Sequence, residues 1–305
     1  MSEVLTHSQI MEQLPYCDRM VLLDRAAFDG EKKIAGLKSV TMNEWYFQGH
    51  FPNHPIVPGV LLVESMAQLA ELAVWKKLDP KREGDIYIKS LRKVKFRKPN
   101  NPGDRIFFNV EITGETSDTF EFTATATNNS GAACQAQITL GVRPKVEMTM
   151  PTGFNEFDKS DKSEMDVLTV ASFIPHRYPF LFVDYVAKSD GPHVTGIKNA
   201  TAEEPAFRRY ADHYSVLTGS VQPEIVAQVG AISMLSKPEN KGKLAIFMAI
   251  DQSDFYEKPV LPGDQMVLEV DIPDTKSRFG KGEGTMSVNG ELISRTQMMF
   301  ALVDP

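Results

Sequence analysis

His50 stands in the loop Gly49-His50-Phe51-Pro52, and nine residues after it Gly59 completes a Pro-Gly turn that opens an apolar, helix-like stretch. Glu64 follows five residues into that stretch. The three parts suit proton transfer. A loop histidine titrates near neutral pH and can take a proton. The first turn of a helix offers free N–H donors to a carbonyl oxygen, and a carboxylate among apolar side chains can hold or return a proton. A lone histidine beside prolines more often just fixes its loop, and a lone first-turn glutamate is commonly a partner for the helix dipole. The weight therefore rests on the whole pattern from Gly49 to Gln68 rather than on any one member.

Such groups need a frame. From Val60 to Lys77 the chain is apolar almost all round, which predicts a helix buried on most sides, and Glu64 and Gln68, four apart, share one of its faces. The runs Lys33 to Val40, Asp85 to Arg97, Arg105 to Ile112, Thr119 to Thr127 and Ala133 to Val142 are rich in β-branched and aromatic residues and end at Gly, Pro or Asn turns, so they read as strands. Trp45, Tyr46 and Phe47, just ahead of the histidine loop, suit either a channel lining or the core.

Sliding the sequence 160 residues along itself exposes a repeat. Pro15, Asp24, Gly36, Lys38, Thr41, Glu44 and Phe47 fall on Pro175, Asp184, Gly196, Lys198, Thr201, Glu204 and Phe207. Gly59, Glu64, Ala67 and Gln68 fall on Gly219, Glu224, Ala227 and Gln228, and Pro102-Gly103-Asp104 falls on Pro262-Gly263-Asp264. A chain of 305 residues is right for two such units. It divides into a first copy, residues 1–144, a linker, 145–164, with no hydrophobic period, and a second copy, 165–305. The second copy departs where chemistry would be done: Tyr210 replaces His50, and a tyrosine with an ordinary pKa of about 10 is a poor base at neutral pH. Gly219, Glu224 and Gln228 persist, on a helix expected from about Val221 to Ser236 with Pro223 in its first turn.

The register of His50, Phe51, Pro52, Pro55, Pro58, Gly59, Val60, Glu64, Ala67 and Gln68, with Phe47-Gln48-Gly49 upstream, resembles the 3-hydroxyacyl-[acyl carrier protein] dehydratases of the FabZ/FabA type. Glu64, where the dehydratase/isomerase FabA branch has Asp, favours the FabZ branch. The segment Pro175-His176-Arg177-Tyr178-Pro179-Phe180 is similar to that family's N-terminal segment, more so than Pro15-Tyr16-Cys17. The resemblance implies an α+β, tandem hot-dog fold, each antiparallel sheet wrapped around a long central helix and the two copies paired as a pseudo-dimer. It implies dehydration of a (3R)-3-hydroxyacyl thioester on acyl carrier protein to the trans-2-enoyl product, in fatty acid or related acyl-chain biosynthesis. In that family the histidine of one subunit meets the carboxylate of the other, so the expected crossings are His50 with Glu224 and Tyr210 with Glu64. The catalytic set is then His50, Glu224 and Glu64, with Glu224 ahead; the second crossing lacks a base and is left a binding or structural role. Substrate contacts are expected from Gly59, Gly219, Phe51, Gln68, Gln228 and Tyr210, the helix start at Gly59 or Gly219 receiving the thioester oxygen. No metal and no tightly bound cofactor is needed. His54, His176, His193 and His213 read as surface or loop histidines, with His213 close enough in sequence to Tyr210 to substitute as a base.

Composition sets outer bounds. The net charge of −7 argues against nucleic acid as a partner. The chain has no run of 18 apolar residues, hence no expected membrane span or secretory segment, and Cys17 and Cys134 are too few for a disulfide framework. These readings point to a cytoplasmic enzyme. Against this acidity, Lys89, Arg92, Lys93, Lys95, Arg97 and Lys98 put six positive charges into ten residues, where the second copy has Asp251, Asp254 and Glu257 against Lys258. Docking of an acidic carrier protein on Lys93, Lys95, Arg97 and Lys98 is the functional reading, and a solvated strand face is the plain one. One chain already closes the two-unit assembly, so a monomer or a three-chain assembly is expected. Two rival functions are a hot-dog acyl thioesterase and a non-catalytic acyl-carrier-binding protein.

Overall fold

The computed structural model describes residues 4–14, 16–17, 19–151, 153, 164–273 and 278–304. Of the expected linker, residues 152 and 154–163 lie outside the described residues. The first copy runs β1 (Val4–Thr6), α1 (His7–Gln13), β2 (Tyr16–Cys17), β3 (Arg25–Asp29), β4 (Lys33–Ser39), α2 (Gly59–Leu78), β5 (Gly84–Phe96), β6 (Arg105–Glu115), β7 (Thr119–Asn128) and β8 (Gly131–Pro144). The second runs α3 (Val167–Phe173), β9 (Tyr185–Asp190), β10 (His193–Asn199), β11 (Phe207–Tyr210), β12 (Ser215–Leu217), α4 (Gln222–Leu235), β13 (Leu244–Phe255), β14 (Gln265–Asp271), β15 (Phe279–Val288) and β16 (Glu291–Val303). Among the described residues, thirteen strands form one sheet in the order β1-β3-β4-β6-β7-β8-β5-β13-β16-β15-β14-β10-β9. The copies join edge to edge through the antiparallel β5–β13 pair, with Lys95 opposite Ala249 and Ser90 opposite Asp254. This is the double hot-dog architecture: each half-sheet curls over its own helix.

Binary patterning explains the wrap. Along β6, Ile106, Phe108 and Val110 are buried while Arg105, Phe107 and Asn109 face out, so one side of the sheet lies on the helix. On α2 the buried set runs almost without break from Val60 to Leu72, as a helix enclosed on most sides requires. Strand ends differ from the sequence expectation at β6, which passes through a bulge between Ile112 and Gly114 and pairs on to Glu115. The second helix is the shorter, ending at Leu235 just ahead of Pro238, which starts a separate 3-10 turn.

The repeat reappears in the backbone bonds of corresponding turns. Gly103 and Gly263 both adopt positive φ, +99° and +100°, which glycine tolerates, and their N–H groups donate to Val40 and Ala200 carbonyls at 2.9 Å each. Symmetry fails at the N-terminal segments. In the first copy β2 leaves its own half to pair with β11 of the second, Tyr16 opposite Tyr210, in a small three-stranded sheet with β12. No helix among the described residues is long and apolar enough to cross a membrane.

Candidate active site

The 3-10 turn Trp45–Gln48 launches the histidine loop, and the Tyr46 carbonyl accepts from the N–H groups of both Gly49 and His50, at 3.1 and 2.8 Å. The His50 Nδ1 lies 2.7 Å from the Ile56 carbonyl oxygen. A carbonyl only accepts, so Nδ1 carries the proton and Nε2 keeps a lone pair. Phe51 stacks on the imidazole at 4.1 Å between centroids, and Phe180 from the second copy meets it edge-on at 5.2 Å. Gly49 fastens this loop across the copies: its carbonyl accepts from the Arg177 N–H at 3.1 Å, and a Cβ at position 49 would stand 2.0 Å from the Arg177 carbonyl oxygen. Only glycine permits that approach. Trp45 leans on Phe180 while Tyr46 and Phe47 are core residues.

The same contact brings in the second copy's segment before β9. His176 is buried, its ring 5.5 Å from that of His50, and its Nε2 lies 3.2 Å from Oε1 of Glu224 on α4. His176 lies in the loop between α3 and β9, as the sequence suggested, but it is buried and not at the surface, because its segment docks on Gly49 instead of facing solvent. Gln228 also donates to Glu224, at 3.0 Å, and is itself clamped by the Phe180 carbonyl and the Phe182 N–H, at 3.0 and 2.9 Å. His50, His176 and Glu224 therefore form one cluster between the copies. Burial foremost, then His176, pushes His50 down to about 4 against the opposing pull of Glu224, which keeps the imidazole neutral at physiological pH. Burial works against charge on Glu224, yet the His176 hydrogen bond and charge, with His50 and Gln228, hold it below the usual carboxylate value.

The other crossing is filled by side chains. Arg208 enters from β11 and donates to Glu64 from Nε at 3.1 Å and from a terminal nitrogen at 2.9 Å, and it reaches Glu71 at 3.4 Å and the Ile86 carbonyl at 3.1 Å. Thr218 and Ser220 hydroxyls donate to the other Glu64 oxygen at 2.6 and 2.7 Å, and Gln68 donates at 3.1 Å to the oxygen that Arg208 bonds. Despite complete burial, Arg208 and these donors hold Glu64 below its ordinary pKa. The Tyr210 hydroxyl donates to Asp85, whose other oxygen pairs with Arg143 at 2.8 Å. Burial, then Asp85 and Glu71, raises Tyr210 well above its ordinary value, so it is no base. His213 sits exposed on the turn after Tyr210. His54 is exposed too, and His193 is engaged by Glu269 and Asp271 at 2.5 and 3.0 Å.

Which helix start belongs to which crossing follows from the repeat. Thr218 and Ser220 flank Gly219 and bond Glu64, so the turn before α4 lies at the filled crossing. Their counterparts Pro58 and Val60 flank Gly59, in a loop held alike: Val57 N–H to the Asn100 carbonyl at 2.8 Å, Leu217 N–H to the Val260 carbonyl at 3.0 Å. A cavity of about 180 Å³ lined by Arg19, Glu203, Pro205, Phe207 and Arg209 includes no member of the His50 cluster. Among the described residues no group of three or more His, Cys, Asp or Glu is placed to hold a metal ion. Cys134 is buried, which pushes its thiol up to about 12 and leaves it unreactive.

On the outer face, Lys93, Lys95, Arg97 and Lys98 are exposed. Lys93 takes positive φ at a bulge in β5, Arg97 donates to Gln135 at 2.8 Å, and Lys98 donates to the Ser130 carbonyl. Two charges of the strip are spoken for: Arg92 pairs with Asp254 on the neighbouring β13 and Lys89 lies 3.8 Å from Asp118.

A family model described as a FabA-like domain matches residues 11–137 and again 174–297. The chain is 46% identical over 141 residues to the 3-hydroxyacyl-[acyl-carrier-protein] dehydratase FabZ of Geobacillus sp. (strain WCH70), a match covering 46% of this chain and 97% of that protein. Among solved structures it is similar to the dehydratase domain from the CurJ module of curacin polyketide synthase, with a TM-score of 0.63 at 14% identity over 93% of this chain and 96% of that one. It is also similar to a putative oleoyl thioesterase from Lactobacillus plantarum, with a TM-score of 0.57 at 7% identity over 90% of this chain and 97% of that one. At such identities the structural likeness shows the fold alone.

Proposed function

The chain belongs to the FabA-like domain family, and from that premise we propose that it is a hydro-lyase converting (3R)-3-hydroxyacyl-[acyl carrier protein] to the trans-2-enoyl form in fatty acid or related acyl-chain biosynthesis, at the single crossing of His50 and Glu224. The observation that carries the site is the cluster itself: a neutral histidine with a free Nε2 beside an ionised carboxylate, from opposite copies. His50 Nε2 removes the C2 proton, and N–H groups at the Gly59 helix start receive the charge developing on the thioester oxygen. Glu224, being ionised, accepts a hydrogen bond from the 3-hydroxyl and orients it. As the C3–O bond breaks, the proton taken from C2 passes to the departing oxygen, so water leaves and His50 returns neutral. Phe51 packs His50 in place, and Gln228 does the same for Glu224. Glu64, Gln68, Gly219 and Tyr210 belong to the filled crossing and serve the fold. The chemistry runs on side chains and backbone, with no metal or organic cofactor in any step.

The thioesterase alternative shares the architecture, but the loop from Gly49 to Gly59 and the identity to a FabZ enzyme favour dehydration. The substrate carrier is acyl carrier protein, docked on Lys93, Lys95, Arg97 and Lys98, in the cytoplasm, with the two copies acting as an intramolecular pseudo-dimer, alone or three chains together. Incubation with 3-hydroxyacyl carrier proteins of several chain lengths should give enoyl product, and His50→Ala should abolish it with normal thermal melting. Release of free carrier thiol instead, or full turnover in the variant, would overturn the reading.

A further inference from the structure

We infer that His176, outside the two-residue set proposed above, is a positioning residue of the reaction: it aims the Glu224 carboxylate at the substrate hydroxyl. The inference rests on the site reading just given and adds a third side chain to it. Three observations carry it. His176 Nε2 lies 3.2 Å from Glu224 Oε1, and a carboxylate accepts, so the imidazole donates. Gln228 donates to the same oxygen at 3.0 Å, and the two donors fix one edge of the carboxylate so that Oε2 is left to meet substrate. The segment bearing His176 is tied to the residue next to His50, through the Arg177 N–H and the Gly49 carbonyl at 3.1 Å, so both histidines share one anchor.

The chain also contains its own comparison. At the repeat offset of 160 residues His176 corresponds to Tyr16, as His50 corresponds to Tyr210. The working crossing thus has histidine at both places, and the filled crossing has tyrosine at both, set opposite each other in the β2–β11 pair. Glu224 and Glu64, by contrast, are the same residue in both copies. At the filled crossing Glu64 takes its donors from Arg208, Thr218 and Ser220. A histidine retained only where His50 is retained is tied to the reaction and not to the fold. The buried Nδ1 of His176 makes no hydrogen bond among the described residues, so the ring is held through Nε2 and its aromatic contacts alone.

The test uses the full chain with a 3-hydroxyacyl carrier protein. His176→Leu should lower kcat by roughly 10²-fold with KM little changed. Glutamine can place an amide N–H where Nε2 was and asparagine cannot, so His176→Gln should stay within about tenfold of wild type while His176→Asn falls with the leucine variant. Because His176 acts through Glu224, the double variant His176→Leu/Glu224→Gln should be no slower than Glu224→Gln alone. Multiplying losses in the double variant, equal rates for the Gln and Asn variants, or wild-type kcat in His176→Leu beside a strongly slowed Glu224→Gln would each overturn the inference while leaving the site standing. Wild-type turnover in Glu224→Gln would overturn the site itself. Thermal melting of each variant separates these effects from loss of fold, and the Gln/Asn contrast decides the matter should the leucine variant not fold.

Discussion

Replacing Arg208 with methionine is expected to weaken the fold and spare the reaction. Its guanidinium is almost fully buried and supplies the cation to two buried carboxylates, Glu64 at 2.9 and 3.1 Å and Glu71 at 3.4 Å. An exposed ion pair contributes about 0–1 kcal/mol, but removing one partner of a buried pair costs about 3–5 kcal/mol because the other charge stays behind without compensation. Glu64 keeps three donors, Thr218, Ser220 and Gln68, which sets the expectation at the lower end, about 3 kcal/mol. At roughly 2 °C per kcal/mol for a large chain, the midpoint should fall by about 6 °C. Differential scanning calorimetry reads the loss, and turnover on a carrier-bound substrate reads the site. Adding Glu64→Gln and Glu71→Gln to the same background should restore part of the midpoint, since the stranded charges are then gone. A midpoint within about 1 °C of wild type would refute the buried-pair argument. A fall in turnover as deep as that of His50→Ala at unchanged stability would show that the second crossing does chemistry.

Glutamate substitutions should rank in opposite senses for the two properties: Glu224→Gln cuts turnover to a small residual rate, while Glu64→Gln keeps most of it and lowers the melting midpoint, and the reverse ranking would relocate the site. The acid limb of kcat/KM should lie near 4, well below the ordinary histidine value of 6.5, because burial and then His176 keep His50 unprotonated; activity rises with pH through that low value, and a limb at or above 6.5 would refute it. Stability follows the same sign, since the lowered pKa of Glu64 gives stabilisation present above the unfolded carboxylate value and lost as pH falls through the folded one, so acid melting of wild type should be steeper than that of Glu64→Gln. Charge reversal at Lys95 and Arg97 should raise the KM for carrier-bound substrate at low salt and leave a short pantetheine thioester unaffected; equal kinetics on both would leave the strip a solvated face.

The core of the fold was legible because its signals are local or periodic: the all-apolar helix, the alternating strands, and the offset that places Glu224 on Glu64. The expectation that His50 and Glu224 meet came from the repeat and the family's habit of sharing a site, and in the structure His176 lies between them, its ring 5.5 Å from that of His50 and its Nε2 3.2 Å from Glu224. His176 was missed because its burial comes from a long-range contact with Gly49, although the offset of both histidines to tyrosine was available as a signal. Arg208, Thr218, Ser220, Asp85 and Arg143 looked like scattered polar residues, because the distances that gather them span separations of 58 to 156 residues. The basic strip looked more charged in sequence than it is, since Asp254 neutralises Arg92 only once β5 and β13 lie side by side.

The β5–β13 join has a consequence for concentration. A site built between two separate chains is subject to mass action and empties of activity when dilution separates them. Here both halves of the site travel on one molecule, and the encounter that assembles them is intramolecular, so each copy meets its counterpart at a fixed effective concentration. Dilution then cannot separate the two copies of one chain. The covalent connection between the copies removes any demand that both be alike, because a given first copy always finds the same second copy. One crossing can therefore specialise as an ionic clamp without ever producing a chance partnership of two clamps and no catalyst.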